Sequence, residues 1–214
     1  MKAENDKYIL TVEQDEDVES PREWDNSGRM ICFYGRYDLG DKHDYSSPRE
    51  FLESKCSDHE IDFDKIWNDY CTDSKEEKDI SPYTERLITQ LEKFYIFLPL
   101  RLYDHSGISI SCSGSYPYND QWDSMQVGWI YVAKGTDGLT DDEWREILEA
   151  EVKQYDQFLR GDVYWFELDE KKHCVCCKHN TLEQFDSCGG FYDIQHMKEY
   201  LPEDAEYLID KLED

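Results

Sequence analysis

Positive charge is scarce in this chain. Its 214 residues hold 23 lysines and arginines against 50 aspartates and glutamates, a formal net charge of −27. That deficit argues against direct binding to DNA, RNA or anionic lipid, because like charges would be brought together. Long hydrophobic runs are lacking as well: no apolar stretch approaches the ~18 residues that mark a membrane-spanning helix. Met1 to Ile9 is polar and mixed in charge with no apolar stretch behind it. No secretory leader is therefore expected, and the expected location is the cytoplasm. No internal repeat and no low-complexity linker is visible. A Gly-x-Ser-x-Gly elbow is missing too, since Gly107-Ile108-Ser109-Ile110-Ser111 lacks the second glycine.

What is present excludes an acidic disordered tail. Tyr, Phe and Trp make up 14% of the residues and 39% are hydrophobic, enough for a sizeable core at this length. A net charge of this size works against compaction through self-repulsion. A fold that carries it has a use for the outside field, and the expected use is to meet a strongly basic surface such as one built to hold nucleic acid. The competing explanation is solubility or salt adaptation, which gives the same bias. Here the acids come in blocks, while residues 100–132 contain only Asp104, Asp120 and Asp123.

The expected fold is α+β, a mostly antiparallel central sheet with acidic amphipathic helices packed on it. Residues 1–29 read as an acidic N-terminal arm or edge strand, with the short alternation Tyr8 to Val12 beside Asp15, Glu16 and Asp17. Residues 30–192 read as the α+β core domain, and residues 193–214 as an acidic C-terminal helix docked through Leu201, Leu208, Ile209 and Leu212. Met30 to Tyr37, Ile108 to Cys112 and Val127 to Val132 have strand composition, the last two at the centre of the sheet. Helices are predicted from about Ser47 to Tyr70 and from Ser81-Pro82 onward, the latter with Leu87, Ile88, Leu91, Phe94, Tyr95 and Leu98 on its core face. The clearest helix follows Thr140, whose side chain and that of Glu143 form a capping box. Trp144, Leu148, Val152, Tyr155 and Leu159 line one face of it. Asp142, Glu146, Glu149 and Asp156 lie roughly opposite, interrupted by Lys153, at about 5 to 10 Å intervals along the axis.

Five segments resemble a family of uncharacterised proteins encoded by phages and other mobile elements of Firmicutes. They are Gly35–Tyr45, Leu102–Gly107, Trp122–Val132, Ala150–Leu168 and Asp186–Tyr192, so the resemblance covers most of residues 28–192. The chain departs from that pattern at Met125 and Gly189, where glycine and tryptophan are usual. The family brings no activity with it. The resemblance implies a context, a mobile element living among host defences.

These readings give the expectation of a non-enzymatic inhibitor of a host defence system, anti-CRISPR or antirestriction. It would bind the basic nucleic-acid channel of a CRISPR effector or restriction enzyme through a DNA-mimicking acidic surface, with no cofactor. Candidate contact residues are Asp141, Asp142, Glu146 and Glu149 on the capped helix, Asp15, Glu16 and Asp17 near the start, and Glu203, Asp204 and Glu206 near the end. The alternatives are a small metal-dependent or loop-based enzyme using the Asp104/His105 region, and a zinc-stabilised interaction module. Asp104, His105 and Ser106 are consecutive and cannot form a catalytic triad; a turn closed by Gly107 is the reading preferred. Asp41, His43, Asp44, Asp104, His105 and Asp123 are ligand types for a hydrolytic metal site. Cysteine is abundant, but Cys32, Cys56, Cys71 and Cys112 are scattered singly, as buried apolar residues would be. Cys174, Cys177, His179 and Cys188 are the candidates for a structural zinc, and a cysteine-rich hairpin without metal is the competing reading.

Overall fold

A computed structural model describes residues 1–68, 81–105, 107–113, 124–173, 176 and 180–213. The fold is α+β with antiparallel sheets, as expected, but there are two four-stranded sheets instead of one central sheet. Contacts divide the chain into two units, residues 20–160, and residues 1–19 together with 161–214.

In the unit of residues 20–160 the strands are β3 (Arg29–Cys32), β4 (Tyr95–Asp104), β5 (Ile108–Ser111) and β6 (Ser124–Ala133), in the order β3-β6-β4-β5. The helices are α1 (Pro48–Ser57), α2 (Phe63–Asn68), α3 (Ser81–Leu91) and α4 (Asp141–Arg160). Successive strand residues point to opposite faces, and here both faces are covered. Met30, Ile96, Leu98, Ile130 and Val132 pack with Trp144, Leu148, Val152 and Tyr155 of α4. On the other face Ile31, Tyr95, Phe97 and Trp129 meet Phe51, Leu52 and Cys56 of α1 and Leu87 and Leu91 of α3. Each such side chain, fully buried, contributes about 1.5–3 kcal/mol of transfer free energy.

Burial on both faces explains one departure from expectation. The Phe94–Leu98 stretch does not extend the helix: α3 stops at Leu91, and Tyr95 begins the ten-residue strand β4. A strand with two buried faces reads as a continuous apolar run, which periodicity alone cannot distinguish from a buried helix. The expected central pair is also revised. β6 lies inside the sheet between β3 and β4, whereas β5 is its edge. Gly128 makes the β3–β6 approach possible, because a Cβ there would sit 1.8 Å from the Ile31 carbonyl oxygen.

In the second unit β1 (Lys2–Glu4), β2 (Tyr8–Gln14), β7 (Tyr164–His173) and β8 (Asn180–Phe191) follow in that order, all antiparallel. Tyr8, Leu10 and Val12 alternate with less buried neighbours and join Phe166, Leu168, Met197, Leu201 and Leu208 in one core. The stretch around Tyr8 is therefore an interior strand, not an edge or arm. Its ladder to β7 runs from Tyr8–Glu170 to Gln14–Tyr164, which ties the N-terminal residues to those beyond 161 and displaces the boundaries expected at 29/30 and 192/193. Where an α-helix was expected over 193–214, the described residues form two short 3-10 segments, Ile194–Tyr200 and Glu206–Lys211. Pro202, which lacks an N–H, stands between them. Leu201, Leu208 and Ile209 are nonetheless buried, as the docking pattern required.

Candidate functional site

Helix α4 begins where the capping box predicts. Glu143 N–H donates to Thr140 Oγ1 at 3.3 Å, and the Glu143 carboxylate accepts from the Thr140 backbone N–H at 2.8 Å. These Thr140 donors hold the Glu143 carboxyl below its ordinary range. Three acids in the first turn, Asp141, Asp142 and Glu143, also face the positive end of the helix dipole.

From there the acids of α4 divide. Asp142, Glu146 and Glu149, at i, i+4 and i+7, fall within one narrow stripe. All three are exposed, and no ion pair engages them among the described residues. Lys153 continues the stripe and is exposed. Asp156, expected to extend the array, is turned to β5 instead: its Oδ1 accepts from Ser109 Oγ at 2.7 Å and from the Ile110 N–H at 2.8 Å. Asp141 pairs with Lys134 and does not share the stripe.

Glu151 goes furthest inward. Its Oε2 takes Arg22 Nη1 at 2.9 Å, and its Oε1 accepts the N–H groups of Ser27 at 2.9 Å and Gly28 at 3.0 Å. The same guanidinium donates to both oxygens of Asp41, at 2.8 and 3.1 Å, and to the Gly28 carbonyl at 2.8 Å. The Arg22, Asp41 and Glu151 side chains are 3%, 9% and 12% exposed. The network was not anticipated from sequence, although a lone arginine after Ser20-Pro21, in a stretch crowded with acids, was a signal.

The remaining acidic candidates lie in the other unit. Asp15 is half-buried and structural: its Oδ2 accepts the Gly190 N–H at 2.9 Å and its Oδ1 the Asp17 N–H at 3.3 Å. A Cβ at Gly189 would come within 2.4 Å of that carboxylate, so a larger residue there has to displace the Asp15 side chain. Asp204 pairs with Lys7 at 3.1 Å. Glu16, Asp17, Glu203 and Glu206 are exposed. Of the ten acidic candidates, the structure thus brings Asp142, Glu146 and Glu149 onto one unneutralised helix face.

The residues of the enzymatic alternative are engaged elsewhere. Asp104 ends β4, where Tyr34 donates its hydroxyl and Arg36 Nη1 donates at 2.9 Å. The Tyr34 hydroxyl foremost, and then Arg36, hold its carboxyl below the usual range, which makes it a weak proton acceptor. The His105 N–H bonds the Gly107 carbonyl at 3.1 Å, with Gly107 at φ 151°, while Ser106 lies outside the described residues. Asp41 belongs to the Arg22 network, and His43 Nε2 lies 2.9 Å from the Cys32 carbonyl oxygen. A cleft of about 540 Å³, lined in part by Cys32, Tyr34, Tyr37, His43 and Phe158, was also missed from sequence. Burial, reinforced by Asp41, pushes the Cys32 thiol up to about 12, so it is not an activated nucleophile.

Cys174, Cys177, His179 and Asp123 lie outside the described residues. Cys188 sits half-buried on β8 opposite Phe166, and no group of three His, Cys, Asp or Glu side chains able to hold a metal occurs among the described residues. None of the described helices is long and apolar enough to cross a membrane. No protein-family model, curated protein or solved structure matches the chain.

Proposed function

We propose that this protein inhibits a host defence complex, a CRISPR effector or a restriction enzyme, by seating the outer face of α4 in a basic groove that otherwise grips nucleic acid. One observation carries the reading: Asp142, Glu146 and Glu149 remain exposed and without an ion-pair partner among the described residues on a capped helix, while Glu151 of the same helix pairs with Arg22 and Asp156 is hydrogen-bonded by Ser109 and Ile110 of β5. Carboxylates at about 5 to 6 Å intervals along the axis fall between the ~3.4 Å rise per phosphate of one strand and the wider spacing across a groove. The helix that carries them is already formed, so binding orders side chains and not backbone. The net charge of −27 adds long-range steering that weakens with salt. The phage-like resemblance supplies a setting in which such an inhibitor is useful. The partner is a basic protein; direct binding to nucleic acid or membrane is not part of the proposal.

The test is competition. Increasing amounts of the protein are added to labelled duplex DNA bound by a purified effector or restriction enzyme, and DNA release is followed at several salt concentrations. The expected result is displacement that fades as salt rises and is lost in D142K/E146K/E149K. Displacement by the triple variant as strong as by the unaltered chain overturns the reading.

A further inference from the structure

The two edges of the β1-β2-β7-β8 sheet are treated differently. At one edge β1 is three residues long and is covered by the end of the chain, with Lys2 N–H donating to the Glu213 carbonyl at 3.1 Å. At the other edge β8 runs for twelve residues, paired among the described residues on its β7 side alone. Thr181 to Ser187 are exposed throughout. Along 181–186 no backbone N–H or C=O outside the β7 ladder finds a backbone partner among the described residues.

Natural edges are usually blunted by lysine, proline or shortness. From Asn180 to Phe191 there is no lysine, arginine or proline. Register shifts opposite Leu168/Asp169 and Tyr164/Phe166 and the acids Glu183 and Asp186 are blunting features, but the shifts leave Asn180–Gln184 in unbroken register with His173–Asp169. Apolar side chains accompany the open backbone: Leu182 is 56% exposed and Phe185 50%. The Phe185 ring meets Tyr8 edge-on at 5.4 Å, so it is held in place while half of it stays uncovered.

Charge decides the occupant. The strand carries Glu183 and Asp186 and no basic residue, so pairing with a second copy sets acid against acid between chains of −27 each. The ladder sets Leu182 opposite Lys171 on one face of the strand and Glu183 and Asp186 opposite Glu170 and Leu168 on the other, so an extended segment alternating apolar with lysine or arginine residues lays apolar side chains beside Leu182 and cations beside Glu183 and Asp186. We infer that β8 is a docking edge that accepts an added strand from a basic partner. This inference does not rest on the α4 reading, which concerns the other unit.

The probe is a synthetic peptide, Lys-Val-Lys-Val-Lys-Val-Lys, added to the full chain. Its affinity is read by fluorescence anisotropy and its location by amide hydrogen exchange. Its Glu-Val counterpart and a version with prolines in place of two valines are the controls. The inference expects exchange at 181–187 to slow at least tenfold with the Lys-Val peptide and with neither control. L182S/F185S, which removes two exposed side chains, weakens binding at least tenfold, and D142K/E146K/E149K leaves that protection in place. Binding without protection of 181–187, binding indifferent to L182S/F185S, or no binding overturns it. So does a dimeric mass with β8 already protected in the absence of peptide, which makes a second copy the occupant.

Discussion

Within α4, Glu151 and Asp156 lie within hydrogen-bond reach of residues far away in sequence, whereas Asp142, Glu146 and Glu149 have no ion-pair partner among the described residues. The same residue types, at the same helical spacing, serve cohesion in the second half and are left available in the first. The difference teaches that acidity in this chain is not one property. Carboxylates that face the sheet or the 22–41 segment are compensated one by one. On α4 the outward Asp142, Glu146 and Glu149 are not, although outward Asp141 pairs with Lys134, and the three add to self-repulsion that the fold tolerates.

The largest way to break the comparison is at Arg22. Arg22→Met leaves the Glu151 carboxylate without its cation and Asp41 with Arg29 alone at 3.7 Å, and the expected cost is about 3–5 kcal/mol in urea unfolding. Asp156→Ala removes the acceptor of the Ser109 hydroxyl and the Ile110 N–H, with an expected cost of about 1–3 kcal/mol by the same measurement. Thr140→Ala unseats the helix cap and is expected to cost about 1 kcal/mol. Glu146→Gln on the outward stripe is expected to stay within about 0.5 kcal/mol of the unaltered chain. A cost at Glu146 equal to that at Asp156 erases the distinction.

Acid sharpens the distinction further. Asp104 and Glu143 have folded-state carboxyls held below their ordinary values of 3.8 and 4.5. A depressed carboxyl stabilises the fold fully above its unfolded value, and that stabilisation is lost as pH falls through the folded one. The stability gap between the unaltered chain and Asp104→Asn is therefore expected to be present at neutral pH and to close as pH falls below 3.8.

Local chemistry was legible in the sequence. Thr140-Asp141-Asp142-Glu143 announced the start of α4, and the 3.6-residue spacing of Trp144, Leu148, Val152 and Tyr155 announced its buried face. The alternation at Tyr8–Val12 marked a strand, but its interior place depends on pairing with β7 more than 150 residues away, which no local pattern encodes. Tyr95–Leu98 misled because both faces of that strand are covered. The same limit applies to the site. Spacing located the stripe of Asp142, Glu146 and Glu149, and it placed Asp156 there too. What removes Asp156 is Ser109 and Ile110, and what occupies Glu151 is Arg22, Ser27 and Gly28, all brought near only by the fold. Sequence gave the charges, and tertiary structure sorted the compensated from the uncompensated.

The central claim is that the uncompensated stripe is a contact surface for a basic nucleic-acid groove. The most direct measurement is the dissociation constant for a purified CRISPR effector or restriction enzyme as a function of salt, for the unaltered chain and for D142K/E146K/E149K. The account predicts tight, salt-sensitive binding by the former. For the variant it predicts a loss of about 100-fold, on the order of 1 kcal/mol per reversed charge, and a shallower salt dependence. Equal affinity and equal salt dependence in the two proteins contradict it.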